Sequence, residues 1–164
     1  MWRILAMIGG VSGAAGLSQF PEFSQQYLQR LAGKVDALGV VAADFDASAS
    51  RNGLGRNAAL AQLSGTAFLD DRQTDLRRTF ADYDRLSSDL NRLRAASPLQ
   101  RLAMPQRLGD GETLAAAWAD FRPAIPATLD GAVTAGIGYV AGWGLLAGLW
   151  SGLAWLFRRR PAAV

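Results

Sequence analysis

Apolar and polar positions divide the chain into three zones. Residues 4–20 and 131–157 contain no charged side chain, whereas the stretch between them mixes apolar and charged positions at helical spacing. A hydrocarbon core of roughly 30 Å is crossed by about 20 apolar helical residues. The pattern therefore predicts a first transmembrane helix over residues 1–20, a middle segment over 21–127, a second transmembrane helix over 128–157 and a basic tail over 158–164. Arg3 ahead of an apolar run also fits a signal peptide. No small-x-small site followed by a mature-looking start is present, however, and the run is read as a retained anchor.

Pro21 interrupts the first helical run, because proline lacks an amide hydrogen and crowds the carbonyl four residues back. A kink or a new helix start is expected there. Beyond Tyr27, apolar residues at Leu28, Leu31, Val35, Leu38, Ala42 and Phe45 alternate steps of three and four, which is a heptad seam. Arg51, Asn52, Gly53, Leu54 and Gly55 supply the turn chemistry that ends a helix. A second helical pattern starts near Asn57, is interrupted around Ser64, Gly65 and Thr66, and is clearest at Leu76, Phe80, Tyr83, Leu86, Leu90 and Leu93. Neither seam can be buried by its own helix, so the two arms are expected to fold back as an antiparallel, coiled-coil-like hairpin. Its polar face offers Arg78 with Asp82 and Arg85 with Asp89 as pairs four apart.

Ser97 and Pro98 end the second arm. Short turns broken by Pro105 should follow, then a short helix capped by Asp110 and running through Thr113, Leu114, Trp118 and Phe121. Pro123 and Pro126 finish it, and Pro126 or Thr128 begins the final span, with Asp130 in its first turn where the helix dipole favours a carboxylate.

Charge refines this picture. The mean hydropathy of +0.08 and the pI of 9.9 both average over unlike zones. Of 17 basic and 14 acidic residues, only Arg3, Arg158, Arg159 and Arg160 lie outside residues 21–130. The basic excess thus flanks the spans, where arginine sets orientation and contacts anionic lipid, and nucleic acid is not an expected partner. The positive-inside rule places both termini in the cytoplasm and the middle segment outside, which in a bacterium is the periplasm. The chain has no cysteine and no histidine. That excludes disulfides, thiolate nucleophiles, imidazole bases and the usual zinc sites.

The remaining candidates are weak as chemistry and better as contacts. Gly138 and Gly142, then Gly144, Gly148 and Gly152, place small residues four apart along the last span, a helix–helix interface pattern whose partner is either the first span, with Gly9, Gly13 and Gly16, or another subunit. Trp143 and Trp150 share a face and are read as lipid-facing bulk, while Trp155 and Phe157 beside the arginines are read as an interface anchor. Asp44 and Asp46 around Phe45, and Asp82 and Asp84 around Tyr83, imitate a metal-binding acidic pair, but residues two apart on a helix diverge by about 200° and do not converge on a cation. Gly53 and Gly55 lack the lysine and preceding strand of a phosphate loop. No cofactor, metal or small-molecule substrate is expected.

The runs SQFPEFSQQYLQRLAG at residues 18–33, ADYDRLSSDL at 81–90 and FRPAIPATLDG at 121–131 resemble an uncharacterised family of small bacterial inner-membrane proteins. The resemblance implies two membrane segments with a helical insertion, and carries no catalytic or binding residue. The expected fold is an all-α membrane protein, with two transmembrane helices flanking a periplasmic hairpin. The expected function is that of a non-enzymatic interaction or scaffold protein, an accessory subunit that associates with another membrane protein or with copies of itself. The alternative is a component of a small oligomeric channel or transporter, although the last span offers such a path little beyond Thr134 and Ser151 as polar groups.

Overall fold

The computed structural model describes residues 2–123 and 128–158, with side chains through residue 156. Among the described residues the chain is all-helical, with no strand. Seven α-helices are described: α1 (Trp2–Ser18), α2 (Phe20–Arg51), α3 (Arg56–Ala61), α4 (Ala67–Ala95), α5 (Pro98–Leu102), α6 (Gly111–Ala119) and α7 (Leu129–Arg158). A 3₁₀ turn, Pro105–Leu108, precedes α6. They sort into two compact units. The first takes in the chain up to Gln25, the segment Pro98–Ala103 and the chain from Asp120 onward; the second holds Gln26–Ser97 and Met104–Ala119.

In the first unit α1 packs along α7. Two helical runs are long and apolar enough to cross a membrane: the one that α1 begins, and α7. At the expected break, the Gln19 amide reaches back only three residues, to the Gly16 carbonyl at 3.3 Å, before Phe23 resumes the four-residue pattern on Gln19 at 3.0 Å. Pro21 falls in the first turn of α2, where its missing N–H removes no intrahelical bond. The Phe121 ring meets Phe23 edge-on at 5.7 Å between centroids. Arg101 of α5 is buried, and its guanidinium donates to the Gln25 side-chain oxygen at 3.3 Å. At the start of α7 the Thr128 hydroxyl accepts from the Gly131 amide at 3.1 Å, the bond expected of an N-cap. The expectation for Pro126 lies outside the described residues.

In the second unit, Ala42, Leu60 and Phe80 form a buried cluster, against which Phe45, Leu63, Leu76 and Tyr83 pack. Every seam position named from the sequence is buried or partly buried: Leu28, Leu31, Val35, Leu38 and Phe45 on α2, and Leu76, Phe80, Tyr83, Leu90 and Leu93 on α4. Gly39 lies under the Tyr83 ring, where an added Cβ would come within 3.2 Å. α2 ends in a Schellman motif: the Leu54 amide bonds the Ala49 carbonyl and the Gly53 amide the Ser50 carbonyl, both at 3.0 Å, with Gly53 at φ +70°. Gly65, at φ +98°, and the Thr66 hydroxyl, which accepts from the Leu69 amide at 3.3 Å, divide α3 from α4. The second helical pattern of the sequence is therefore two helices with a turn between them.

The helix capped by Asp110 ends at Ala119, before Phe121. Phe121 instead packs on Phe23, and Pro123 two residues later is incompatible with continuing the helix.

Candidate functional site

Two features stand out: the surface of α7 and a set of ion pairs that lock the second unit. On α7, glycine permits contact that any side chain would forbid. A Cβ on Gly13 would overlap the Gly138 carbonyl, one on Gly138 the Gly13 carbonyl, and one on Gly142 the Gly9 carbonyl. Gly10 is covered by the Tyr139 ring. Residue numbers rise along α1 as their partners fall along α7, so the two helices are antiparallel. Ala6 and Thr134 are fully buried in this unit. Thr134 donates its hydroxyl proton to its own helix, with the Asp130 and Gly131 carbonyls at 2.9 and 3.0 Å, and Ser151 bonds the Ala147 carbonyl at 2.8 Å.

The five glycines of the ladder do not share one face. Gly138 and Gly142 meet α1, whereas an added Cβ at Gly144, Gly148 or Gly152 would meet only open space, as it would at Gly16. The step from Gly142 to Gly144 explains the split, because two residues turn a helix by about 200°. Trp143, Trp150 and Trp155 are exposed. Arg3 lies 5.8 Å from the centre of the Trp2 ring. The Arg158 side chain, Arg159 and Arg160 are outside the described region, as is the Phe157 side chain.

In the second unit, Asp110 joins α2 and α6. Its carboxylate accepts from the Thr113 amide at 3.2 Å and from the Thr113 hydroxyl, which caps α6. It also takes the Lys34 ammonium at 3.0 Å, while its backbone amide donates to the Tyr27 hydroxyl at 3.4 Å. Lys34 reaches Glu112 as well, at 2.8 Å. Burial pushes the Asp110 carboxyl up, but the bonds from Thr113 and Lys34 outweigh it and leave its pKa lowered. Burial likewise opposes the Lys34 ammonium, yet its bonds to Glu112 and Asp110 prevail and its pKa is raised. The Tyr27 phenol is raised, chiefly by burial.

The pairs four apart on α4 are replaced by others. Asp82 is held by Arg85 at 2.8 Å, three residues on, and Asp89 by Arg107 of the 3₁₀ turn. Asp89 is buried, so the arginine carried over it by the turn is better placed than one on the exposed face. Of the acidic pairs around an aromatic residue, Asp46 accepts from Nε and Nη2 of Arg56, one to each carboxylate oxygen, at 2.8 and 2.5 Å. That guanidinium also lies 4.6 Å from the centre of the Phe80 ring. Among the described residues no three acidic, cysteine or histidine side chains gather as a metal group.

The partners of Lys34, Asp89 and Arg56 follow no spacing in the sequence. The one signal for Lys34 was its being the chain's single lysine among 17 basic residues.

The fold and its surfaces define an all-α protein with two span-length helices packed glycine against glycine. Over residues 1–159 the chain matches the family described as Protein of unknown function (DUF2937), and it belongs to that family. No curated protein and no solved structure matches it.

Proposed function

We propose that the chain is a membrane-anchored interaction protein, an accessory or scaffold subunit of a larger or self-assembled inner-membrane complex. In this reading α1 and α7 are the two spans. The segment between them is a periplasmic antiparallel hairpin with α2 as one arm and α3–α4 as the other, and both termini are cytoplasmic. The opposite order of the pairs Gly39–Tyr83 and Phe45–Phe80 supports the hairpin. Arg3 and the arginines Arg158, Arg159 and Arg160, on the outer flanks of the spans, support the orientation.

The observation that carries the proposal is the division of glycines on α7. Gly138 and Gly142 lie against α1, whereas Gly144, Gly148 and Gly152 have open space where a second helix can approach. In lipid, close packing of small residues is a principal source of helix association, and a scaffold needs such a face beyond its own fold.

Replacing Gly148 by Leu tests this. Native mass measurement after gentle detergent extraction should show the larger species lost while the chain keeps its own fold. Unchanged assembly would remove the interface from the proposal. A reporter inserted after Gly53 should read periplasmic; a cytoplasmic signal would overturn the orientation.

A further inference from the structure

The outward arc of α6 has the wrong chemistry for a helix facing water. Thr113 and Ala117 are buried, and the arc turned away from them carries Leu114, Ala115, Trp118 and Ala119, all exposed. Leu114 and Trp118 are 38% and 71% exposed. The one charge on the helix is Glu112, engaged by Lys34. A solvent-facing helix ordinarily turns its polar residues outward, as α4 does with its aspartates and arginines.

We infer that this arc of α6 rests in the headgroup layer of a bilayer, with Trp118 and Leu114 as the inserted side chains. The inference depends on the membrane reading above. Three observations favour lipid as the occupant. Trp118 is three residues from Phe121, whose ring packs on Phe23, and Phe23 is five residues past the end of α1. Three extended residues span at most about 11 Å, which is the longest covalent tether there can be between Trp118 and Phe121. Tryptophan favours that boundary because its ring has an apolar body and a polar N–H, and the exposed Arg122 four residues on adds a cation suited to lipid phosphate. Finally, one face of a nine-residue helix, about 13 Å long, offers far less than the roughly 800 Å² per partner of a stable protein interface.

The absence of cysteine makes the test direct. Single-cysteine variants Trp118→Cys and Leu114→Cys of the full chain, labelled with an environment-sensitive fluorophore, are reconstituted in vesicles of phosphatidylcholine and phosphatidylglycerol. Emission is then quenched by lipids bearing a nitroxide at shallow or deep positions, or by aqueous iodide. Val140→Cys, on the exposed surface of α7, reports on the span, and Val40→Cys on α2 serves as the aqueous reference. The expected result is a larger fractional loss of emission with shallow nitroxide than with iodide at both α6 positions, alongside deep-nitroxide quenching at Val140→Cys. Iodide quenching on α6 equal to that at Val40→Cys overturns the inference and leaves the span intact. Shielding from all quenchers also overturns it, in favour of a protein cover. Loss of lipid quenching at Val140→Cys instead overturns the membrane reading itself, and the inference with it.

Discussion

The carbonyl oxygen of Gly13 stands where a Cβ on Gly138 would be, and the Gly138 carbonyl stands where one on Gly13 would be. Side chains at either position would force the two backbones apart along the whole contact. Gly138→Leu and Gly13→Leu are expected to destabilise the α1–α7 pair by at least the about 1–3 kcal/mol typical of overpacking. Gly144→Leu, directed into open space, should leave it within error of the wild type. Thermal unfolding of the detergent-solubilised chain, read by circular dichroism, distinguishes these outcomes. Equal effects at Gly138 and Gly144 would contradict the assigned faces.

How much of this was legible in the sequence follows from what kind of regularity each feature has. The seam through Leu28, Leu31 and Val35 repeats with the helix, so periodicity alone finds it, and Gly53 and Asp110 announce turns by their own chemistry. The glycine pattern was visible too. Its division between two faces rested on one two-residue step between Gly142 and Gly144, which a reading of four-residue spacings passes over. The salt bridges had no such regularity. Arg78 and Asp82 are neighbours by spacing, yet Asp82 is taken by Arg85, and Asp89 by Arg107, delivered by a 3₁₀ turn whose path no periodicity encodes. Lys34 and Asp110 stand 76 residues apart in the chain and meet only once the fold exists.

That Lys34–Asp110 contact gives the second unit a defined pH response. The Asp110 pKa is lowered in the folded chain, so its contribution is present above the ordinary carboxylate value of about 4 and is lost as pH falls through the folded value. The Lys34 pKa is raised, so its contribution is complete below about 10.4 and is lost as pH rises through the folded value. Asp110→Asn keeps a side-chain oxygen for capping and removes the charge. It should cost about 1–2 kcal/mol near neutrality, after allowance for the partial exposure of Lys34. The difference from the wild type should shrink as pH falls through the folded Asp110 value. Urea unfolding at several pH values checks it, and a cost independent of pH would show that the cap, not the ion pair, carries the effect.

Arg56 and Phe80 form the second lock. The guanidinium grips Asp46 while lying over the Phe80 ring, and that ring packs against Phe45 with centroids 5.2 Å apart. Phe80→Ala opens a cavity among Ala42, Leu60 and Phe45 and should cost about 3–5 kcal/mol. Arg56→Ala should cost less, because Arg56 and Asp46 are both partly exposed. Denaturant midpoints order the two variants, and an Arg56→Ala loss as large as that of Phe80→Ala would mean that the ion pair dominates the packing.

Gly53 tests the turn that closes α2. At φ +70° its backbone occupies the left-handed region, where a Cβ costs about 1–2 kcal/mol although nothing lies within 4 Å to obstruct it. Gly53→Ala should therefore lower stability by about that amount through backbone strain alone. Gly55→Ala, which has the same open surroundings and lies at an extended φ of −82°, carries no such strain and should cost less, the restriction that alanine places on the unfolded chain offsetting part of its poorer N-cap for α3. A paired measurement of the two variants by thermal unfolding isolates the conformational cost from any loss of contact. Equal behaviour at the two positions would mean that the Leu54–Ala49 and Gly53–Ser50 bonds do not require the left-handed turn.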